Sequence, residues 1–128
     1  MLTQPSANQT AVLYGLDGSL GLELSGALAA QGRAFCFEPI PDGTLGGRAL
    51  SRRDVSVVFC LANWRCYEPV LDFVKQARPE LPVVVVSRDA DSFEWLNALE
   101  AGAADYCSAP FQCGQIGWIL EGLRRYAP

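Results

Sequence analysis

An open parallel β-sheet with helices on both faces is the fold class this chain predicts, and three observations predict it. Short apolar runs alternate along the length with segments whose apolar residues recur at helical spacing. Two of those runs, 55–61 and 81–87, are apolar almost throughout, the second with four consecutive valines, as suits central parallel strands covered on both sides. The chain has 128 residues, 50% of them hydrophobic and 19% charged, enough for one core in one domain.

Residues 1–10 are polar and turn-rich and read as a loose lead-in to a single domain over 11–128. The apolar run 11–16 gives a first strand. Asp17, Gly18 and Ser19 turn the chain into a helix on which Leu20, Leu22, Leu24, Ala27 and Leu28 recur with spacings close to a helical face until Gly32 stops it. Residues 33–38 form a second strand. The prolines and glycines between 39 and 47 then leave room only for a short helix around 45–51.

After the third strand, 69–77 predicts a helix with Val70, Leu71 and Val74 inward, ended by Pro79. Asp91 and Glu94 have capping-box spacing, so a helix runs from there to Glu100, with Leu96 and Leu99 toward the core and Gly102 after its end. A short strand at 104–107 follows. The last helix, after Pro110, buries Ile116, Leu120 and Leu123, with Ile119 beside them.

Composition excludes several functions. Ten basic against fourteen acidic residues give a formal charge of −4, which offers no field for a phosphate backbone, so direct nucleic-acid binding is not expected. The apolar runs are too short to span a bilayer and no secretory pattern is present, so no membrane association is expected and a cytoplasmic location is. There is no histidine and no C-x-x-C pair, so neither a metal site nor any other cofactor is predicted. The five cysteines read as apolar core fillers, or as a redox pair, either Cys60 with Cys66 or Cys107 with Cys113.

From 11 to about 126, and most firmly over 79–111 (PELPVVVVSRDADSFEWLNALEAGAADYCSAPF), the chain resembles the CheY-like receiver domains of bacterial two-component response regulators. The resemblance implies a flavodoxin-like, doubly wound sheet of five parallel strands in the order 2-1-3-4-5, with its site at the carboxyl ends of the strands.

It also implies an atypical pseudo-receiver with a degenerate phosphorylation site. Where that family carries a magnesium-binding acidic pair, this chain has Gly15 and Leu16, which offer no side-chain oxygen to a hard cation. Asp17 follows, either as a helix cap or as a residual ligand. The family's phosphoacceptor aspartate falls on Phe59, or on Cys60 with a one-residue shift. Its lysine falls on Ala109, while its strand-end hydroxyl persists as Ser87. Loss of acids and lysine together is coherent, since a lysine left beside Gly15, Leu16 and Phe59 would be an unpaired charge. A displaced acid, Asp17 or Asp54, is the remaining candidate acceptor.

Pro110 matches a proline preceded by a cis bond, and Tyr106 matches the aromatic residue that reports activation. In this chain Tyr106 is a static packing residue, a contact residue or a switch. Trp95 and Trp118 are expected on the surface formed by the family's fourth helix, fifth strand and fifth helix, as anchors for self-association or a protein partner. Trp64 either fills the vacated pocket beside Phe59 or stacks on a small ligand, with Arg65 and Arg88 near an anion.

The function expected is thus a phosphorylation-independent regulatory and protein-interaction domain, not an enzyme, attached to the output domain of a longer transcriptional or signalling protein. The alternative is a small-ligand or redox sensor on the same scaffold, carried by Cys60 and Cys66 or by the pocket near Trp64. An enzyme is the weakest reading, because no nucleophile–base set is recognisable.

Overall fold

The computed structural model describes residues 9–32, 35–41, 50, 52–88 and 93–126. Five strands, β1 (Thr10–Tyr14), β2 (Cys36–Ile40), β3 (Val55–Leu61), β4 (Val83–Ser87) and β5 (Asp105–Ser108), form one parallel sheet in the order β2-β1-β3-β4-β5. The described helices are α1 (Gly18–Ala29), α2 (Trp64–Ala77), α3 (Phe93–Glu100) and α4 (Cys113–Tyr126). The last two are the ones the resemblance counts as fourth and fifth. The expected order and class hold. β1 starts one residue inside the expected lead-in, and the short helix around 45–51 lies outside the described residues except for Leu50, which is buried.

The valine run of β4 shows why the sheet is central and parallel. Val83 and Val85 enter one core cluster, with Val58, Cys60, Tyr67 and Val70, while Val84 and Val86 enter another, with Leu24, Phe59, Ile116 and Ile119. A strand buried on both faces needs apolar side chains at every position. The first cluster lies against α2 and α3, the second against α1 and α4. β1 divides likewise, Val12 and Tyr14 to one side, Ala11 and Leu13 to the other.

β2 is an edge strand. Cys36 donates its N–H to the Gln9 carbonyl and Ile40 accepts from the Gly15 N–H, so the alternate residues Phe37 and Pro39 point their backbone groups to the open side. Pro39, which lacks an N–H, occupies the one kind of sheet position that tolerates it.

Two expectations fail in instructive ways. α2 begins at Trp64 rather than at residue 69, because Asn63 caps it, its side chain accepting from the Arg65 N–H at 3.0 Å. Pro69 therefore lies inside the helix, at an exposed position where water can serve the carbonyl of Arg65 that it leaves unbonded.

In α3 the inward residue is Ala98, fully buried, whereas Leu96 and Leu99 are 49% and 37% exposed. A small side chain at the contact lets the helix lie close to the sheet, and the larger leucines rotate outward. The Asp91 start of this helix lies outside the described residues. α4 buries Ile116, Ile119 and Leu120 as expected, with Leu123 partly buried.

Candidate functional site

The carboxyl ends of the strands gather the segments 14–17, 60–64, 87–88 and 108–110. Gly15 ends β1 in the left-handed region, φ 75°, with its N–H bonded to the Ile40 carbonyl at 2.8 Å. Few L residues adopt that conformation without cost, so the chain turn itself favours glycine where an acid is expected by resemblance. Leu16 packs against the α1/α4 side of the core.

Asp17 is the N-cap of α1. Its carboxylate accepts from the Leu20 N–H at 2.7 Å and is ion-paired with Arg88 at the end of β4. These bonds, the Leu20 N–H first and the Arg88 guanidinium second, hold the carboxyl below the usual aspartate range.

Phe59 and Cys60, the two positions weighed for a phosphoacceptor, are both wholly buried, on opposite faces of the sheet. Phe59 lies level with Leu13 and Val84 under α1 and α4; Cys60 lies level with Tyr14 and Val85 under α2. Ser87 is buried and pairs in register with Ser108, and its carbonyl accepts from the Ala109 N–H at 3.0 Å. The Ala109–Pro110 peptide is cis.

Trp64 does not fill a pocket beside Phe59. It is half-exposed at the start of α2 on the other face of the sheet, its ring edge-on to Tyr67 at 5.4 Å. Tyr67, fully buried in the cluster with Cys60, fills that side instead, and sequence reasoning missed it. Its position three residues after Trp64 on a helix capped by Asn63 is the signal that would have found it.

Asp54 is at the wrong end of the sheet for an acceptor. It sits beside the start of β1 and accepts from the Thr10 hydroxyl at 2.7 Å and from both Nε and a terminal nitrogen of Arg52, which also pairs with Glu38. Arg52 first and Thr10 second hold its carboxyl well below the usual range.

The cysteines divide by exposure. Cys60 and Cys66 share one core cluster and neither is in a disulfide; Cys107 is buried and Cys113 exposed. Burial, aided by nearby Asp105, pushes the Cys107 thiol up to about 12. Among the described residues no three His, Cys, Asp or Glu side chains converge as a metal site. Nor is any described helix long and apolar enough to cross a membrane.

Tyr106 is partly buried against the core cluster beneath α2 and α3. Trp95 and Trp118 are exposed, Trp118 by 78%, and with Leu96 and Leu99 they give α3 and α4 large apolar side chains directed to solvent.

No protein-family model matches the chain. It is 33% identical over 128 residues to the transcriptional regulatory protein CseB of Streptomyces avermitilis, an alignment covering 94% of this chain and 52% of that protein. The chain thus spans about half the length of the curated relatives it matches. Among solved structures, the receiver domain of NtrX from Brucella abortus superposes with a TM-score of 0.72 at 22% identity, covering 89% of this chain and 98% of that one. The beryllofluoride-activated NtrC4 receiver domain dimer superposes with a TM-score of 0.73 at 16% identity, covering 92% and 98%. The fold is that of CheY-like receiver domains.

Proposed function

We propose that this receiver domain works without aspartyl phosphorylation, as a non-enzymatic module that regulates through protein contact. The observation that carries the reading is the content of the strand ends. The matched positions hold Gly15, Leu16, buried Phe59 and Cys60, and Ala109, and the Asp17 carboxylate there is engaged by a helix N-terminus and by Arg88. A phosphoryl group needs a nucleophilic carboxylate, a cation to neutralise it and a positive partner once attached. None of the matched side chains supplies these.

The contact surface in this reading is the outer side of α3, β5 and α4, where Trp95, Leu96, Leu99 and Trp118 are exposed. Exposed aromatic and aliphatic anchors on neighbouring helices suit self-association, and the structural neighbour named above is itself described as a dimer. The output is an attached domain, by analogy with the curated relatives, which are named transcriptional regulators and are about twice as long.

The test is intact mass after incubation with magnesium and acetyl phosphate, beside an ordinary receiver as a positive control. No gain is expected. An acid-stable, base-labile gain of one phosphoryl group would overturn the reading and point to Asp17 as acceptor.

A further inference from the structure

A groove between α2 and α3 is lined by Trp64, Asn97, Glu100 and Ala101. It lies on the opposite flank of α3 from Trp95 and Leu99, since Asn97 and Ala101 follow one side of the helix from buried Ala98 and the large apolar residues follow the other. One wall is the half-exposed Trp64 indole, which makes a T-shaped contact with buried Tyr67. The facing wall is acidic. Glu100 is in the last turn of α3, a turn with no basic residue, and among the described residues it has no ion-pair partner. A helix C-terminus adds partial negative charge to that of the carboxylate. Lys75 lines the adjoining cavity with Ala101 and not this groove, and Arg65, next to Trp64 in the chain, is not among the lining residues either.

A half-exposed indole opposite a carboxylate at a helix C-terminus is complementary to one chemical group, a planar cation. Guanidinium stacks on tryptophan and presents paired N–H donors to a carboxylate, which an ammonium does less well. We infer that this groove receives an arginine side chain from a protein partner, separately from any self-association through the α3–β5–α4 side. The Trp64 ring stacks on the guanidinium, Glu100 accepts its N–H groups, and the Asn97 amide borders the same groove. The partner therefore presents a basic segment, in keeping with the net charge of −4 on this chain.

Trp64 stands on a different surface from Trp95 and Trp118, so the indole N–H resonances separate the outcomes. The intact chain, labelled with 15N, is titrated with a capped Gly-Arg-Gly-Arg-Gly peptide and with the Gly-Lys-Gly-Lys-Gly and Gly-Glu-Gly-Glu-Gly counterparts. The signal lost in Trp64→Phe identifies Trp64. It is expected to move with the arginine peptide, at least about threefold more tightly than with the lysine one, and not to move with the glutamate one. Glu100→Gln, a neutral change at an exposed site, is expected to weaken the arginine response about threefold or more. The inference is overturned if Trp64 stays still while Trp95 or Trp118 moves, if lysine and arginine peptides act alike, or if Glu100→Gln leaves the titration unchanged.

Discussion

Asp17 and Arg88, 71 residues apart in sequence, are joined side chain to side chain across the carboxyl end of the sheet. The pair ties the turn after β1 to the end of β4, and Asp17 at the same time caps α1. Asp17→Ala removes cap and pair together, so it is expected to lower the melting temperature more than Arg88→Ala, which removes the exposed pair alone. Because the folded-state pKa of Asp17 lies below its ordinary value of 3.8, its contribution is present above that value and is lost as pH falls through the folded pKa. Thermal melts between pH 6 and pH 3 should show the difference between wild type and Asp17→Asn narrowing on the acid side.

Restoring an acid at the position matched by resemblance will not restore an acceptor. Phe59 is enclosed between the sheet and helices α1 and α4, so Phe59→Ala should cost about 3–5 kcal/mol and Phe59→Asp at least as much, because the carboxyl is buried without a partner. Urea titration followed by circular dichroism measures both, and phosphoryl uptake by a well-folded Phe59→Asp protein would contradict the placement.

Arg78, just past α2, holds the segment leading into β3. Its guanidinium donates to the carbonyls of Arg52 at 2.7 Å, Val55 at 3.1 Å and Leu50 at 3.4 Å, and also bonds Glu80. Hydrogen bonds from a charged donor to partly buried carbonyls predict a loss of about 1.5–3 kcal/mol in Arg78→Ala. Arg78→Lys should recover little, since lysine ends one bond short of the Nη1 that serves all three carbonyls and has no Nε to bond Glu80. The shift of the urea midpoint at constant slope is the readout.

Thiol labelling should divide the five cysteines. Cys36 and Cys113 are exposed and should react with iodoacetamide in the native protein, while Cys60, Cys66 and Cys107 wait for unfolding. Cys107, pushed up to about 12 from 9.0, stays a neutral thiol at the labelling pH. Its contribution to stability is complete below pH 9 and declines as pH rises toward 12, because only the unfolded chain ionises there. Rapid native labelling of Cys60 or Cys66 would favour the redox reading over the one proposed here.

If the α3–β5–α4 side carries self-association, Trp118→Glu and Trp95→Glu should each weaken it more than about tenfold, the effect of one anchor residue. Sedimentation velocity over a concentration series reads this directly. A wild-type chain that stays monomeric throughout would remove self-association from the proposal.

The strands were legible because a parallel strand buried on both faces leaves an unbroken apolar run, as in 83–86, and few other structures do. The phase of α3 was not, because size misled: Leu96 and Leu99 are larger than Ala98, yet close approach to the sheet selects the small residue. α2 starts five residues before the expected residue 69 because the Asn63 cap decides where the helix begins and an exposed proline inside it only removes one bond. The identities of the strand-end residues, Gly15, Leu16, Ser87 and Ala109, were readable one by one. The Asp17–Arg88 pair was not, since no local pattern joins residues on different loops.

Pro39 has a consequence beyond its own strand. With its ring on the open side of β2, it interrupts the row of donors that another extended chain would need to add itself there. Of the two outward-facing residues only Phe37 keeps a donor, so a strand from another molecule adding along β2 would gain one backbone bond fewer.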